Sequence, residues 1–197
     1  RTELDAVTWR LERADGSRLT LIRGRQCATV EGLEVLIVGT SEPVAEGRPL
    51  LDVVGDWVDR PVLVMLPWAF GKWTGRRGRL VTEAYDAYAG RGLRLADTAA
   101  RPAWVPLPRR LRRAADDGRL VPAGSDPFPF AGCVDAVGRY GFTGPSLDAD
   151  ARWPSMLEAI RGMRPGDARR FGRRMGTLEF AVLQTRMQIR KQLSREA

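Results

Sequence analysis

Val62-Leu63-Val64-Met65-Leu66, running into Pro67-Trp68-Ala69-Phe70-Gly71-Lys72-Trp73, decides how the chain is read. An apolar run of strand length passes at once into turn formers, aromatic rings and a cation. A strand written as a continuous apolar run is one buried on both faces, as in a parallel sheet covered by helices. The unit recurs. Residues 33–38 end in Gly39-Thr40-Ser41-Glu42, residues 93–96 in Asp97-Thr98-Ala99-Ala100-Arg101-Pro102, and residues 120–123 in Gly124-Ser125-Asp126-Pro127.

Between these runs the spacing turns helical. Residues 49–58 put Leu50, Val53, Val54 and Trp57 on one face, and residues 79–88 gather Leu80, Ala84, Ala87 and Tyr88. Residues 109–117 predict a short, very basic helix, and residues 153–161 open with Pro154 and carry Met156, Leu157 and Ile160. Ahead of all this, Val7, Trp9 and Leu11 alternate with polar residues, as do Leu19 and Leu21 beyond Ala14-Asp15-Gly16-Ser17. That is the pattern of a β-hairpin. Strand, loop and helix in repetition predict parallel α/β architecture. The polar clusters follow the strands, where α/β barrels keep their active face. About five strand units are present against the eight of a closed barrel. The expectation is a (β/α) barrel of TIM type over residues 1–163, incomplete at its N-terminus. A C-terminal helical extension follows over residues 164–197.

With 197 residues, 44% of them hydrophobic, the chain is long enough for one sizeable core. No apolar run approaches the roughly 18 residues of a membrane span. Cys27 and Cys133 stand alone, without a disulfide framework or zinc spacing, which favours a reducing, cytoplasmic setting. Histidine is absent, so no Ser–His or Cys–His pair exists and no imidazole can hold a metal. The net charge is +8, carried almost wholly by Arg; the lysines are Lys72 and Lys191. From residue 164 onward nine basic and three acidic residues supply +6 of it. Leu178, Phe180, Ala181, Leu183 and Met187 in this tail predict an amphipathic helix docked by its apolar face, with Arg186, Arg190 and Lys191 outward. Oligomeric state is left open.

The sharpest segment is Gly124-Ser125-Asp126-Pro127-Phe128-Pro129-Phe130. A carboxylate directly after a buried strand loses hydration and needs a metal, an Arg or backbone N–H groups in return. Asp97 ends the preceding unit. If Asp97 and Asp126 sit on neighbouring strands their carboxylates converge, which favours a shared proton or a cation. Oxygen-only ligands suit Mg²⁺, Mn²⁺ or Ca²⁺. Trp68 and Trp73 offer stacking faces, and Lys72, Arg76 and Arg139 offer anion contacts, with Ser125 beside Asp126. Each has a structural alternative: a turn cap for either Asp, core packing for the two indoles, stacking on Tyr140 for Arg139.

These landmarks together resemble the PHP family, the polymerase-and-histidinol-phosphatase metal-dependent phosphoesterases, and most closely a divergent bacterial branch of it. Ile22-Arg23-Gly24-Arg25-Gln26 running into Glu31-Gly32-Leu33-Glu34-Val35-Leu36 is similar to the family's Pro-Gly-x-Glu and following strand. Leu66-Pro67-Trp68 falls where the family has His-Pro, and Gly124-Ser125-Asp126 matches its Gly-Ser-Asp-x-His. The resemblance implies a distorted seven-unit (β/α) barrel with a trinuclear metal cluster at the C-terminal ends of its strands, hydrolysing phosphoesters. The ligand positions read Gln26 for Glu, Leu66 for the first His and Phe128 for the second, leaving Asp126 with Gln26 as the remaining metal contacts.

The first expectation is therefore a PHP-like barrel that binds an anionic, phosphate- or sugar-containing ligand without the standard cluster. Asp126 and Asp97 would anchor it, Lys72, Arg76 and Arg139 would contact the anion, Ser125 would assist, and Trp68 and Trp73 would form the walls. An active phosphoesterase with an oxygen-rich Mn/Mg site is the alternative. The third reading is an interaction protein using the basic tail. Nucleic acid is disfavoured as its partner, because the tail lacks the interleaved aromatics of single-strand binders.

Overall fold

The computed structural model describes residues 1–145 and 151–196. Its first strands, β1 (Thr2–Asp5), β2 (Thr8–Glu12) and β3 (Arg18–Ile22), form an antiparallel sheet in that order. Trp9 pairs with Leu21 and Leu11 with Leu19 across the expected hairpin. The guanidinium groups of Arg1 and Arg23 lie 5.1 and 4.5 Å from the Trp9 ring.

The main sheet has the order β4 (Gly24–Ala28), β5 (Glu34–Val38), β6 (Leu63–Pro67), β7 (Arg94–Thr98) and β8 (Ala123–Gly124). Helices α1 (Leu50–Trp57), α2 (Gly75–Tyr88) and α3 (Arg109–Asp116) occupy the three connections from β5 to β8. The strand–loop–helix units read from the sequence are therefore present, but their directions are mixed. β5 runs antiparallel to both β4 and β6, and only β6–β7 and β7–β8 are parallel.

This corrects the expected barrel. A (β/α) barrel needs every strand parallel and the last strand bonded to the first. Here the order is linear, the sheet is open, and β8 is two residues long. The fold is a small mixed α/β domain with open sheets.

Period-2 alternation splits the residues of this sheet between two environments. Val35 and Ile37 of β5, Val64 and Leu66 of β6 and Leu95 of β7 join Leu50, Val54, Trp57, Val81, Ala84 and Leu111 in the main core on the helical side. Each such side chain contributes roughly 1.5–3 kcal/mol by leaving water. Helix α1 begins after Pro49, and the carboxylate of Glu31 accepts a hydrogen bond from the Leu50 N–H at 3.2 Å. Helix α2 starts four residues earlier than the periodicity predicts. Gly78 lies in its first turns, where a Cβ would come within 2.6 Å of the Trp73 carbonyl oxygen.

The opposite face is only half covered. Helix α4 (Trp153–Gly162) packs Trp153, Leu157 and Ile160 on Leu63, Val38 and Met65, with Val7 and Ile22 from the small sheet. A third pair of strands, β9 (Tyr140–Thr143) and β10 (Arg169–Gly172), is antiparallel. Helix α5 (Thr177–Glu196) buries Phe180 and Leu183, with Met175, against Phe128 and Phe130. Among the described residues no helix is long and apolar enough to cross a membrane.

Candidate functional site

A cavity of about 300 Å³ lies over the α4 face of the main sheet, closed at the Val38 and Leu63 side by Trp153 and Ile160 of α4 and extending along the sheet beyond them. Its floor is the alternate residues of β5 and β6: Leu36 lies across from Met65, and Val38 from Leu63. Continuing that register sets Glu34 beside Pro67, at the C-terminal end of β6. Asp97 and Thr98 of β7 and Asp126 after β8 line the cavity as well, with Gln26 beside Leu36. Open α/β sheets bind ligands in this position, beyond the carboxyl ends of parallel strands.

Charge is concentrated at the same end. The Lys72 ammonium, from the loop after β6, donates to Glu34 Oε1 at 2.5 Å, and both side chains are partly buried. Asp126 follows β8 and is the one non-glycine residue with a left-handed backbone among those described, at φ 42°. Asp tolerates this region better than most residues, but the conformation still costs on the order of 1 kcal/mol. Asp126 as a residue is exposed at the rim. Even so, protein packed around its carboxyl, and next the charge of Glu34, push its pKa above the ordinary carboxylate value, while Lys72 draws it back. With Asp97 balanced by Arg101, the two remaining carboxylates, Glu34 and Asp126, stand against one ammonium, a formal excess of one negative charge.

The sign of that shift is testable. A raised carboxyl holds its proton more tightly in the folded chain, so stability falls as pH rises from the ordinary carboxylate value through the folded one. Asp126→Asn removes the penalty. The variant is expected to be more stable than the parent at neutral pH and to lose that advantage in acid, as read by denaturant melts at the two pH values.

Asp97 also lines the cavity, at the end of β7, but its carboxylate is taken up by partners of its own. It is buried, and Arg101 holds both its oxygens at 2.7 Å, one from Nε and one from Nη2. Tyr140 donates to Oδ2 at 2.9 Å and Arg170 stands 3.9 Å away. Burial pushes the Asp97 carboxyl up, but Arg101, then Tyr140 and Arg170, outweigh burial and hold it below its ordinary value. The cluster joins β7, β9 and β10.

Of the sequence candidates, Asp126, Asp97 and Gln26 line the cavity, Lys72 reaches its rim through Glu34, and the others lie elsewhere. Trp68 and Trp73 are buried in the core on the helical side, and Trp68 meets Phe70 edge-on at 6.2 Å. Arg76 is exposed at the start of α2. Arg139 stands 3.6 Å from Glu179 of α5. Ser125 Oγ accepts a hydrogen bond from the Gly138 N–H at 3.0 Å. Glu34 is the member that the sequence reading missed. Its signal was present as the lone charged residue within the apolar run 33–38.

Several expectations fall here. Among the described residues no three His, Cys, Asp or Glu side chains gather so as to hold a metal ion. That removes the trinuclear cluster, the Mn/Mg phosphoesterase chemistry and, with the open sheet, the PHP-like reading itself. The anionic phosphate- or sugar-containing ligand falls with it, since the cavity's charged end is net acidic and Arg76 and Arg139 are not part of it. In the basic tail, three of the cations are engaged within the fold. Arg174 donates to the carbonyls of Pro102, Ala103 and Val105, Arg190 to that of Pro129, and Arg186 lies over the Phe130 ring at 4.5 Å. The Lys191 side chain lies outside the described residues. No protein-family model, curated protein or solved structure matches this chain.

Proposed function

We propose that this domain is a small-molecule binder whose cavity takes a ligand with an apolar body and a cationic head. One coincidence supports the reading: the apolar floor of Leu36 and Met65 runs directly into the acidic end formed by Glu34 and Asp126. A volume of about 300 Å³ sits at the small end of the range for ligand sites. An ammonium or guanidinium head beside Asp126 offsets the excess negative charge and favours the ionised carboxylate. Lys72 has two uses in this scheme. It holds the Glu34 carboxylate in place through their 2.5 Å contact, and it repels a head that approaches from its own side.

The overall charge of +8 works against a cation, but only at long range. At physiological ionic strength screening acts over about 8 Å, so the carboxylates in contact with the head decide the sign.

A thermal-shift panel tests the proposal. Phenylalkyl amines and phenylalkyl carboxylates of matched length are compared at millimolar concentration. The amines are expected to raise Tm and the carboxylates to leave it unchanged. Asp126→Asn is expected to weaken amine binding tenfold or more, the loss of a charged hydrogen bond of roughly 1.5–3 kcal/mol. Equal shifts from both series, or none from either, would remove the proposal.

A further inference from the structure

The two ends of the cavity differ in kind: one is charged and open, the other apolar and shut. Glu34, Leu36 and Val38 line it from β5, and Pro67, Met65 and Leu63 from β6. These make three rungs, Glu34/Pro67, Leu36/Met65 and Val38/Leu63. At a rise of about 3.4 Å per residue, Glu34 and Val38 stand about 14 Å apart. The last rung ends under Trp153, which packs with Leu63, Val38 and Ile160.

Trp153 is held at three points. Its indole N–H donates to the Pro61 carbonyl at 2.8 Å, and its backbone N–H to Asp5 Oδ2 at 3.1 Å. Its ring lies so close over Gly39 that a Cβ there would come within 2.0 Å. A residue bonded through both its indole and its backbone, with its ring pressed on Gly39, does not swing aside for a ligand.

We infer that the cavity measures chain length: it takes an unbranched primary alkylamine, head on Asp126 and Glu34, and Trp153 is the stop that sets the longest chain accepted. The inference rests on the cationic-head reading above. Every methylene laid over Leu36, Met65 and Val38 leaves water for an apolar surface worth about 0.8 kcal/mol, which is about fourfold in affinity. Once the terminal methyl reaches Trp153, a further methylene has nowhere to go except back into solvent, and the gain stops.

The experiment is a calorimetric titration of the intact chain with a ladder of straight-chain amines from propylamine upward, kept below micelle formation. Kd is expected to fall about fourfold per methylene and then break to a plateau or a rise. Leu36→Trp, which fills the middle rung without touching the Trp153 anchors, is expected to move the break to shorter chains. Trp153→Ala is expected to abolish it; should that variant not fold, the Leu36→Trp shift alone decides. Affinity that keeps rising with length, or a break that stays put in Leu36→Trp, overturns the length measurement while leaving the cationic-head reading intact. No binding by any amine overturns both.

Discussion

Asp97→Ala is expected to be the most damaging single truncation of a charged side chain in this protein. The substitution leaves the buried Arg101 guanidinium facing an empty space, and it takes the acceptor from the Tyr140 hydroxyl. Breaking one partner out of a buried ion pair costs about 3–5 kcal/mol, mostly as the penalty of the charge left behind. For a chain of this size each kcal/mol lowers Tm by about 2–4 °C, so a fall of about 6–20 °C is expected in a calorimetric melt. Asp97→Asn keeps the shape and is expected to lose most of the same stability, because the guanidinium still lacks its counter-charge. The pH dependence follows from the lowered carboxyl. The pair's contribution is complete above the ordinary carboxylate value and is lost as pH falls through the folded one. Asp126 acts with the opposite sign, so acid removes a stabilising charge at Asp97 and a destabilising one at Asp126. A loss below about 1 kcal/mol for Asp97→Ala would mean that the cluster is solvated.

Gly39→Ala ranks second. Gly39 ends β5 with φ 95°, a backbone that L side chains rarely adopt, and the indole of Trp153 fills the place of a Cβ. The conformational cost is about 1–2 kcal/mol and the overpacking cost about 1–3 kcal/mol, so about 2–5 kcal/mol is expected in denaturant melts. Trp153→Ala removes the obstruction and leaves a cavity, at about 3–5 kcal/mol. The double variant is expected to cost less than the sum of the two, since the new methyl then has room. That shortfall is the direct measure of the contact. Additive losses would show that Gly39 and Trp153 do not meet.

Strand, loop and helix were legible in residues 33–123 because each strand there is a short apolar run and each helix has one apolar face. Strand direction was not. Residues 33–38 read identically whether β5 runs with its neighbours or against them, and its two antiparallel pairings, with the open strand order, exclude the barrel. β4 escaped notice because it is an edge strand that buries only Cys27, so its sequence has no alternation to read. The pairing of β9 with β10 joins residues far apart in the chain, and local periodicity carries no trace of it. At the site, spacing suggested that Asp97 and Asp126 converge, and both do line one cavity, but with different partners. The Arg four residues after Asp97 was the overlooked clue, since Arg101 bonds both oxygens of that carboxylate. Asp126 has no such neighbour in sequence, and its partners, Glu34 and Lys72, arrive from two other connections of the sheet.

The central claim is that an amine lies along β5 and β6 with its head at Asp126. It is tested most directly by photolabelling with an alkylamine that carries a diazirine at its tail, followed by proteolysis and mass spectrometry. The label is expected on residues of the closed end, Val38, Leu63, Met65 or Ile160, and is expected to disappear with excess unlabelled amine and in Asp126→Asn. Label spread over the helical side of the sheet, or left unchanged by competitor, would contradict it.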